Sequence, residues 1–152
     1  YQLAKERYDT ILLLNPTDPL AMGNIAVLLH RHLKQHDAAE AAYLLAIEAH
    51  PAHAGIIGKY ANFLKHVRQN FDGAEDLYLQ AIEANPQHAD CLGNYAVLLH
   101  GKAHLYEAQY CWLSSALTQG TKSDHDNAQI YYKKALAAEP DHTNNLVRYF
   151  EY

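Results

Sequence analysis

Small and apolar residues recur along this chain at positions i, i+4, i+7 and i+8, with an aromatic residue at the second position. One copy reads Ala39, Tyr43, Ala46 and Ile47. Similar copies begin at four other alanines: Ala4, Ala74, Ala108 and Ala128. This spacing places the residues on one face of an α-helix, and no run alternates apolar and polar residues as a half-buried strand does. The pattern therefore predicts helices.

A second pattern surrounds three glycines that are 35 residues apart, Gly23, Gly58 and Gly93. Each glycine follows a large apolar residue and precedes an alanine by three positions. The prolines after the aromatic pattern have the same period of 35 residues: Pro16, Pro51 and Pro86. Proline disfavours helical geometry at the preceding residue and ends each of those helices. Each repeat is thus predicted to contain a first helix with the glycine and a second helix with the aromatic residue.

These two patterns and the closing proline resemble the tetratricopeptide repeat, a helix–turn–helix unit of about 34 residues. The resemblance covers nearly the whole chain. It implies an all-α fold, a right-handed superhelical solenoid of antiparallel helix pairs. Residues 17–51 and 52–86 are interpreted as repeats, 1–16 as the second helix of a partial repeat, and 141–152 as the first helix of a further one. The one extra residue per unit predicts a slightly longer turn between the two helices.

Residues 87–140 form an irregular repeat, because Pro86 and Pro140 are 54 residues apart, 19 more than one period. The composition of 119–124 predicts a linker, since breaker and capping residues follow one another there. Either a helical insertion near 101–124 lengthens this repeat, or a first helix has been lost. The full second-helix pattern that follows the linker favours the insertion.

Composition narrows the functional class. Of the 152 residues, 49% are hydrophobic and 19% are charged, which is too apolar for a disordered chain. Twelve basic and 17 acidic residues give a formal charge of −5, which argues against nucleic-acid binding. No apolar run approaches the ~20 residues that a membrane-spanning helix needs. We therefore expect no membrane insertion, and a cytoplasmic location.

Metal and catalytic motifs are not expected. Eleven histidines are present, but several recur at the repeat period, so duplication explains them without a metal. We expect Cys91 and Cys111 to be buried as small hydrophobic residues rather than joined in a disulfide. Neither a nucleophile elbow nor a glycine-rich phosphate loop occurs. The chain is therefore interpreted as non-catalytic, with no cofactor and no metal.

The remaining candidate for function is the free face of the first helices, which form the concave wall in a solenoid of stacked helix pairs. The candidate partner-binding residues are Asn24, Val27, His30, Lys59, Asn62, Lys65, Asn94, Val97, His100 and Arg148. The glycines on these helices either let a partner's backbone approach or pack one helix tightly against the next.

Some members of the resembled family clamp the C-terminal carboxylate of a partner. Asn62, Asn94 and Arg148 match positions of that clamp, whereas Gly58 and Asn144 replace its two lysines. A general protein or extended-peptide groove is therefore favoured. We expect a scaffold or adaptor within a multi-subunit assembly. The open ends of the repeat array indicate either an interior segment of a longer solenoid or a segment whose ends are covered by partners. The alternatives are an RNA-binding helical-repeat protein and the substrate-recruiting arm of a larger enzyme.

Overall fold

A computed structural model describes residues 6, 10, 13, 15, 18–110 and 118–138. Within these residues the chain is helical, and no strand occurs. The helices are α1 (Pro19–Arg31), α2 (His36–Ala49), α3 (Ala54–Phe63), α4 (Phe71–Ala84), α5 (Ala89–Tyr110) and α6 (Thr118–Ala138), and a π-helical turn, Leu64–Arg68, follows α3. Glu6, Thr10 and Leu13 are helical as well.

The helices fall into two compact units, residues 1–85 and 86–152. In the first unit α1 packs on α2 and α3 packs on α4, while α3 also contacts both α1 and α2. In the second unit α5 packs along α6. Because connections of a few residues join the paired helices of the first unit, each of its pairs is an antiparallel helical hairpin. The predicted all-α fold of helix pairs is confirmed.

The second helix of each pair buries the face that the sequence pattern predicts. The three copies are Ala39, Tyr43 and Ala46 on α2, Ala74, Tyr78 and Ala81 on α4, and Ala128, Tyr132 and Ala135 on α6. In every copy the exposed fraction is at most 2%. Alanines let the neighbouring helix approach closely, and the tyrosine ring fills the space that remains between the helices. The register of the repeat is therefore confirmed in all three pairs.

The repeat-position glycines of the first helices are buried, and one of them lies in a helix–helix contact. Gly23, Gly58 and Gly93 are all buried. A Cβ atom on Gly23 of α1 would lie 3.4 Å from Cγ1 of Ile56 on α3, at the limit of ordinary contact. Of the two roles considered for these glycines, tight packing between consecutive first helices is the one that Gly23 has.

The extra residue in each 35-residue repeat is accommodated where the first helix ends. In the first pair, the amide of Gln35 donates to the carbonyl of Leu29 at 3.0 Å, six residues earlier, and the amide of Asn70 binds the carbonyl of Leu64 in the same way. The residue before each of these donors, Lys34 or Gln69, is left-handed, with φ near 57° and 56°. The longer turn is thus closed by a bond that spans six residues, one more than in a π-helix, and in the second pair the π-helical turn Leu64–Arg68 lies within it.

The extra residues of 87–140 lengthen the two helices of the third pair. Helix α5 has 22 residues and α6 has 21, whereas the second helices α2 and α4 have 14 each. The prediction of a linker at 119–124 is wrong, because these residues belong to α6. Pairing of two long helices stabilises α6 through tertiary contacts that outweigh the weak helix propensity of glycine, serine and threonine. Residues 111–117, 1–5 and 139–152 lie outside the described part, so the outer boundaries of the repeats stay predictions.

Replacing Tyr78 with alanine should lower the free energy of unfolding by about 3–5 kcal/mol, because the fully buried ring leaves a cavity. Tyr78→Phe keeps the ring but loses the hydrogen bond from the hydroxyl to Asn62, and should lower it by about 1 kcal/mol. Urea denaturation followed by circular dichroism measures both. Leu79→Ala, at an exposed neighbour, is the control and should change stability by less than about 1 kcal/mol. Equal effects at the two positions would contradict the burial of Tyr78.

Cys91 should be inert towards thiol reagents in the folded protein. Its side chain is only 1% exposed, and burial raises the pKa of the thiol to about 12, which suppresses the reactive thiolate. In a Cys111→Ser background, Ellman's reagent at pH ~8 should label Cys91 only after denaturant is added. Stoichiometric labelling of the native protein within minutes would show that Cys91 is accessible.

Candidate partner-binding surface

The predicted site residues of the first unit lie on α1, on α3 and in the π-helical turn. Their side chains differ in exposure. Lys65 is buried, at 7% exposed, and the other five are half-buried: Asn24, Val27, His30, Lys59 and Asn62. In the second unit, Asn94, Val97 and His100 are half-buried residues of α5. Arg148 lies outside the described residues.

Asn24 and Lys59 come together across the two neighbouring first helices. The ammonium of Lys59 on α3 donates a hydrogen bond of 2.8 Å to Oδ1 of Asn24 on α1. The two residues occupy equivalent positions, 35 residues apart, and Gly23 lies beside the lysine stem. A charge-assisted hydrogen bond between half-buried groups fixes both side chains at the surface. Among the residues predicted as binding residues on the first helices of the first unit, Asn24 and Lys59 form the best-defined polar contact.

Two other predicted residues bind the tyrosines of the second helices. Nδ1 of His30 lies 3.2 Å from the hydroxyl of Tyr43, and Oδ1 of Asn62 accepts a 2.7 Å hydrogen bond from the hydroxyl of Tyr78. Both tyrosine rings are fully buried, so their hydroxyls need partners of this kind. His30 and Asn62 therefore hold the two helices of their own pairs together, a role that the sequence pattern does not reveal.

His30 also contacts the next repeat. Its ring is 5.5 Å from the ring of Phe63 on α3, in an edge-on arrangement. Phe63 lies 5.6 Å from Tyr43 and 6.2 Å from Tyr60, so the rings form one cluster between α1, α2 and α3. Burial lowers the pKa of His30, a backbone hydrogen bond with Ala26 partly opposes this, and the positive charges of Arg31, His36 and Lys34 lower it by smaller amounts. The neutral imidazole is therefore favoured in the folded protein.

An ion-pair network that sequence reasoning missed covers this cluster. The guanidinium of Arg68 binds Asp37 and Glu40 of α2, and its Nε donates to Glu40 at 2.8 Å. Glu40 also accepts a hydrogen bond of 3.2 Å from the hydroxyl of Tyr60. The guanidinium lies 5.6 Å from the centre of the Phe63 ring, a cation–π distance. The network therefore links α2 to the end of the next first helix.

The sequence did contain a signal for Arg68. The residue one period earlier is Leu33, and one period later it is Ala103, so the arginine departs from an otherwise apolar position. The hydrogen bond and charge of Arg68 lower the pKa of Asp37. Both groups are exposed, so solvent screens the pair and its stabilising effect is small.

In the second unit, the predicted residue His100 packs against another histidine. In the first unit, by contrast, Asn24 binds a lysine, and His30 and Asn62 bind tyrosines. The rings of His100 on α5 and His125 on α6 are 4.7 Å apart and edge-on. Among the described residues, no three metal-binding side chains are grouped. None of the described helices is both long and apolar enough to span a bilayer.

Comparison with protein families identifies the repeat. Three sequence models of the tetratricopeptide repeat match the chain, at residues 1–54, 77–110 and 110–142. With the buried Ala–Tyr–Ala faces described above, these matches show that the chain belongs to the tetratricopeptide repeat family. The comparison with curated proteins finds no match.

Solved structures share the fold at low sequence identity. A monomeric mutant of IFIT1 with Gppp-AAAA has a TM-score of 0.79 and 13% identity over 95% of this chain, which spans 31% of that one. The first repeat domain of Spaghetti (RPAP3), bound to the HSP90 peptide SRMEEVD, has a TM-score of 0.62 and 14% identity over 88% of both chains. MamA has a TM-score of 0.61 and 13% identity over 95% of this chain and 72% of its own. At these identities the likeness concerns the fold alone.

The pKa of Asp37 should rise in an Arg68→Gln variant, because the hydrogen bond and the positive charge that lower it are removed. An Asp whose folded pKa lies below its unfolded value adds stability above pH ~4, and that stability is lost as pH falls through the folded pKa. The variant should therefore lose less stability between pH ~5 and ~2 than the wild type. Carboxyl NMR titration and denaturation at several pH values measure the two effects. In the matched control Arg31→Gln the pKa of Asp37 should stay low; an unchanged pKa in Arg68→Gln would exclude the pairing.

Proposed function

We propose that this chain is a non-catalytic scaffold or adaptor that binds a segment of a partner protein along its first helices, within a larger assembly. The observation that carries the proposal is the Lys59–Asn24 pair, which joins two successive first helices at the surface. The pair presents an ammonium group and a side-chain amide in a fixed geometry. Such groups donate hydrogen bonds to the carbonyl and carboxylate oxygens of a peptide.

The setting of the pair also supports a peptide ligand. Val27, on the turn of α1 that follows Asn24, is half-buried and apolar. A few ordered polar groups beside apolar surface are typical of sites that bind extended ligands.

The fold comparison is compatible with this function and with one alternative. The Spaghetti domain was solved with a peptide bound, and the IFIT1 mutant with a capped oligonucleotide. The formal charge of −5 and the carboxylates of α2 that bind Arg68 favour the peptide over RNA, since phosphate binding needs a clustered positive surface.

The test is to select peptides from a displayed library against the chain and to measure their affinity by calorimetry. Lys59→Ala should weaken binding of the selected peptides by about tenfold or more, because a hydrogen bond from a charged group is lost. The matched control Lys133→Ala removes an exposed lysine of α6 and should leave the affinity within about twofold. Failure to select a peptide, or equal affinities for the two variants, would exclude this surface.

A single-stranded RNA oligonucleotide, titrated at two salt concentrations, separates the alternative function. Binding that weakens steeply with salt and is lost in Lys59→Ala would support an RNA-binding protein instead. We expect no such binding. If the chain instead recruited substrates for a larger enzyme, the outcome of the peptide-binding experiment would be the same, because the substrate would bind the same surface.

A further inference from the structure

His30 is the residue at which three helices meet. It lies on α1, binds the hydroxyl of Tyr43 on α2 at 3.2 Å, and packs edge-on against Phe63 on α3 at 5.5 Å. The first two helices belong to one repeat and the third to the next. Its ring also lies 6.1 Å from that of Tyr43, so aromatic surface covers it from both neighbouring helices.

If His30 were protonated, its positive charge would not pair with a carboxylate. The charged or titratable groups that act on His30 are Arg31 and Lys34 from its own helix and the following turn, and His36 from α2, all of them cationic or able to become so. A backbone hydrogen bond with Ala26 opposes part of the lowering of its pKa, and burial outweighs it. The carboxylates of α2 in the cluster, Asp37 and Glu40, bind Arg68, which lies over the outer side of Phe63. The hydroxyl of Tyr60 donates to Glu40.

Protonation also changes the hydrogen bond to Tyr43. In the neutral state, Nδ1 of His30 can accept the proton of the tyrosine hydroxyl. In the imidazolium both nitrogens are donors, so the hydroxyl proton of the fully buried Tyr43 loses that acceptor. The hydroxyl oxygen can then accept from the imidazolium, but the hydroxyl proton is left inside an aromatic cluster without the acceptor it had, and a buried donor without an acceptor is unfavourable.

We propose that the junction of α1, α2 and α3 is an acid-sensitive contact, in which protonation of His30 separates α1 from Tyr43 and Phe63. Opening of the junction loosens the first repeat against the second. The Lys59–Asn24 hydrogen bond joins the same helices α1 and α3 and would be strained by the opening. An effect on partner binding therefore rests on the proposed function, whereas the opening itself does not.

The sign of the effect follows from linkage. Burial lowers the pKa of His30 below its ordinary value of 6.5, so the open state binds more protons than the closed one in the range between the two pKa values. The closed junction is therefore stabilised above pH ~6.5 and opens progressively as the pH falls below that value. Once the pH is below both pKa values, the opening constant has risen about tenfold for each pH unit by which the two pKa values differ.

The experiment combines a histidine NMR titration with amide exchange from pH 7.5 to 5. The reporter is the amide of Gln35, which binds the carbonyl of Leu29 at the end of α1. The internal control is the amide of Asn70, which makes the equivalent bond after α3, where Lys65 occupies the place of His30. In the wild type, the opening constant at Gln35 should rise on acidification by the factor that the measured pKa of His30 requires, and by more than at Asn70.

His30→Gln should abolish this difference, because glutamine can bind the tyrosine hydroxyl and stays neutral. His32→Gln, the same substitution at an exposed histidine two residues later, should behave as the wild type. The proposal is overturned if the native pKa of His30 is 6.5 or higher, or if Gln35 responds to pH equally in the wild type and in His30→Gln. The titration of the wild type decides even if the variant does not fold. No partner is involved, so failure here leaves the proposed function untouched.

Discussion

Close approach of helices around a buried tyrosine is the constraint on which this structure depends. On α2, α4 and α6 the ring stands between two alanines, and all three side chains are buried. Alanine allows the neighbouring helix to come near, while the ring fills the volume that a smaller residue would leave empty. The spacing of the chain's repeats therefore reflects one packing solution that is used three times.

Two of these tyrosines, Tyr43 and Tyr78, connect the core to the candidate surface. Their hydroxyls lie at the edge of the helix pair and bind His30 in one repeat and Asn62 in the next. The residue that binds the tyrosine hydroxyl comes from a different turn of the first helix in each repeat. Equivalent positions therefore have different roles. Val27 stands where Asn62 does, and Lys65 where His30 does. Some residues of the first helices thus hold the pairs together, while others lie on the candidate surface.

The fold was predictable from the local sequence pattern, whereas much of the candidate site was not. The Ala–Tyr–Ala faces and the buried glycines follow from periodicity. The ion pairs of Arg68 join residues 28 and 31 positions apart, and no local rule relates them. The segment 119–124 was misjudged for a similar reason, since its glycine and hydroxyl residues favour a turn in isolation. Packing of the long α6 along α5 outweighs that preference.

The sequence by itself determined the helix pairs, their period of 35 residues and the faces that they bury, because these depend on contacts that recur at fixed spacing. Only the tertiary structure decided which residues on the free face of the first helices are structural, how the extra residue widens the turn after each first helix of the first unit, and which charged side chains pair. Those outcomes depend on atoms brought together from different helices. Their distances are set by the packing of whole helices, to which neighbours in the sequence contribute no information.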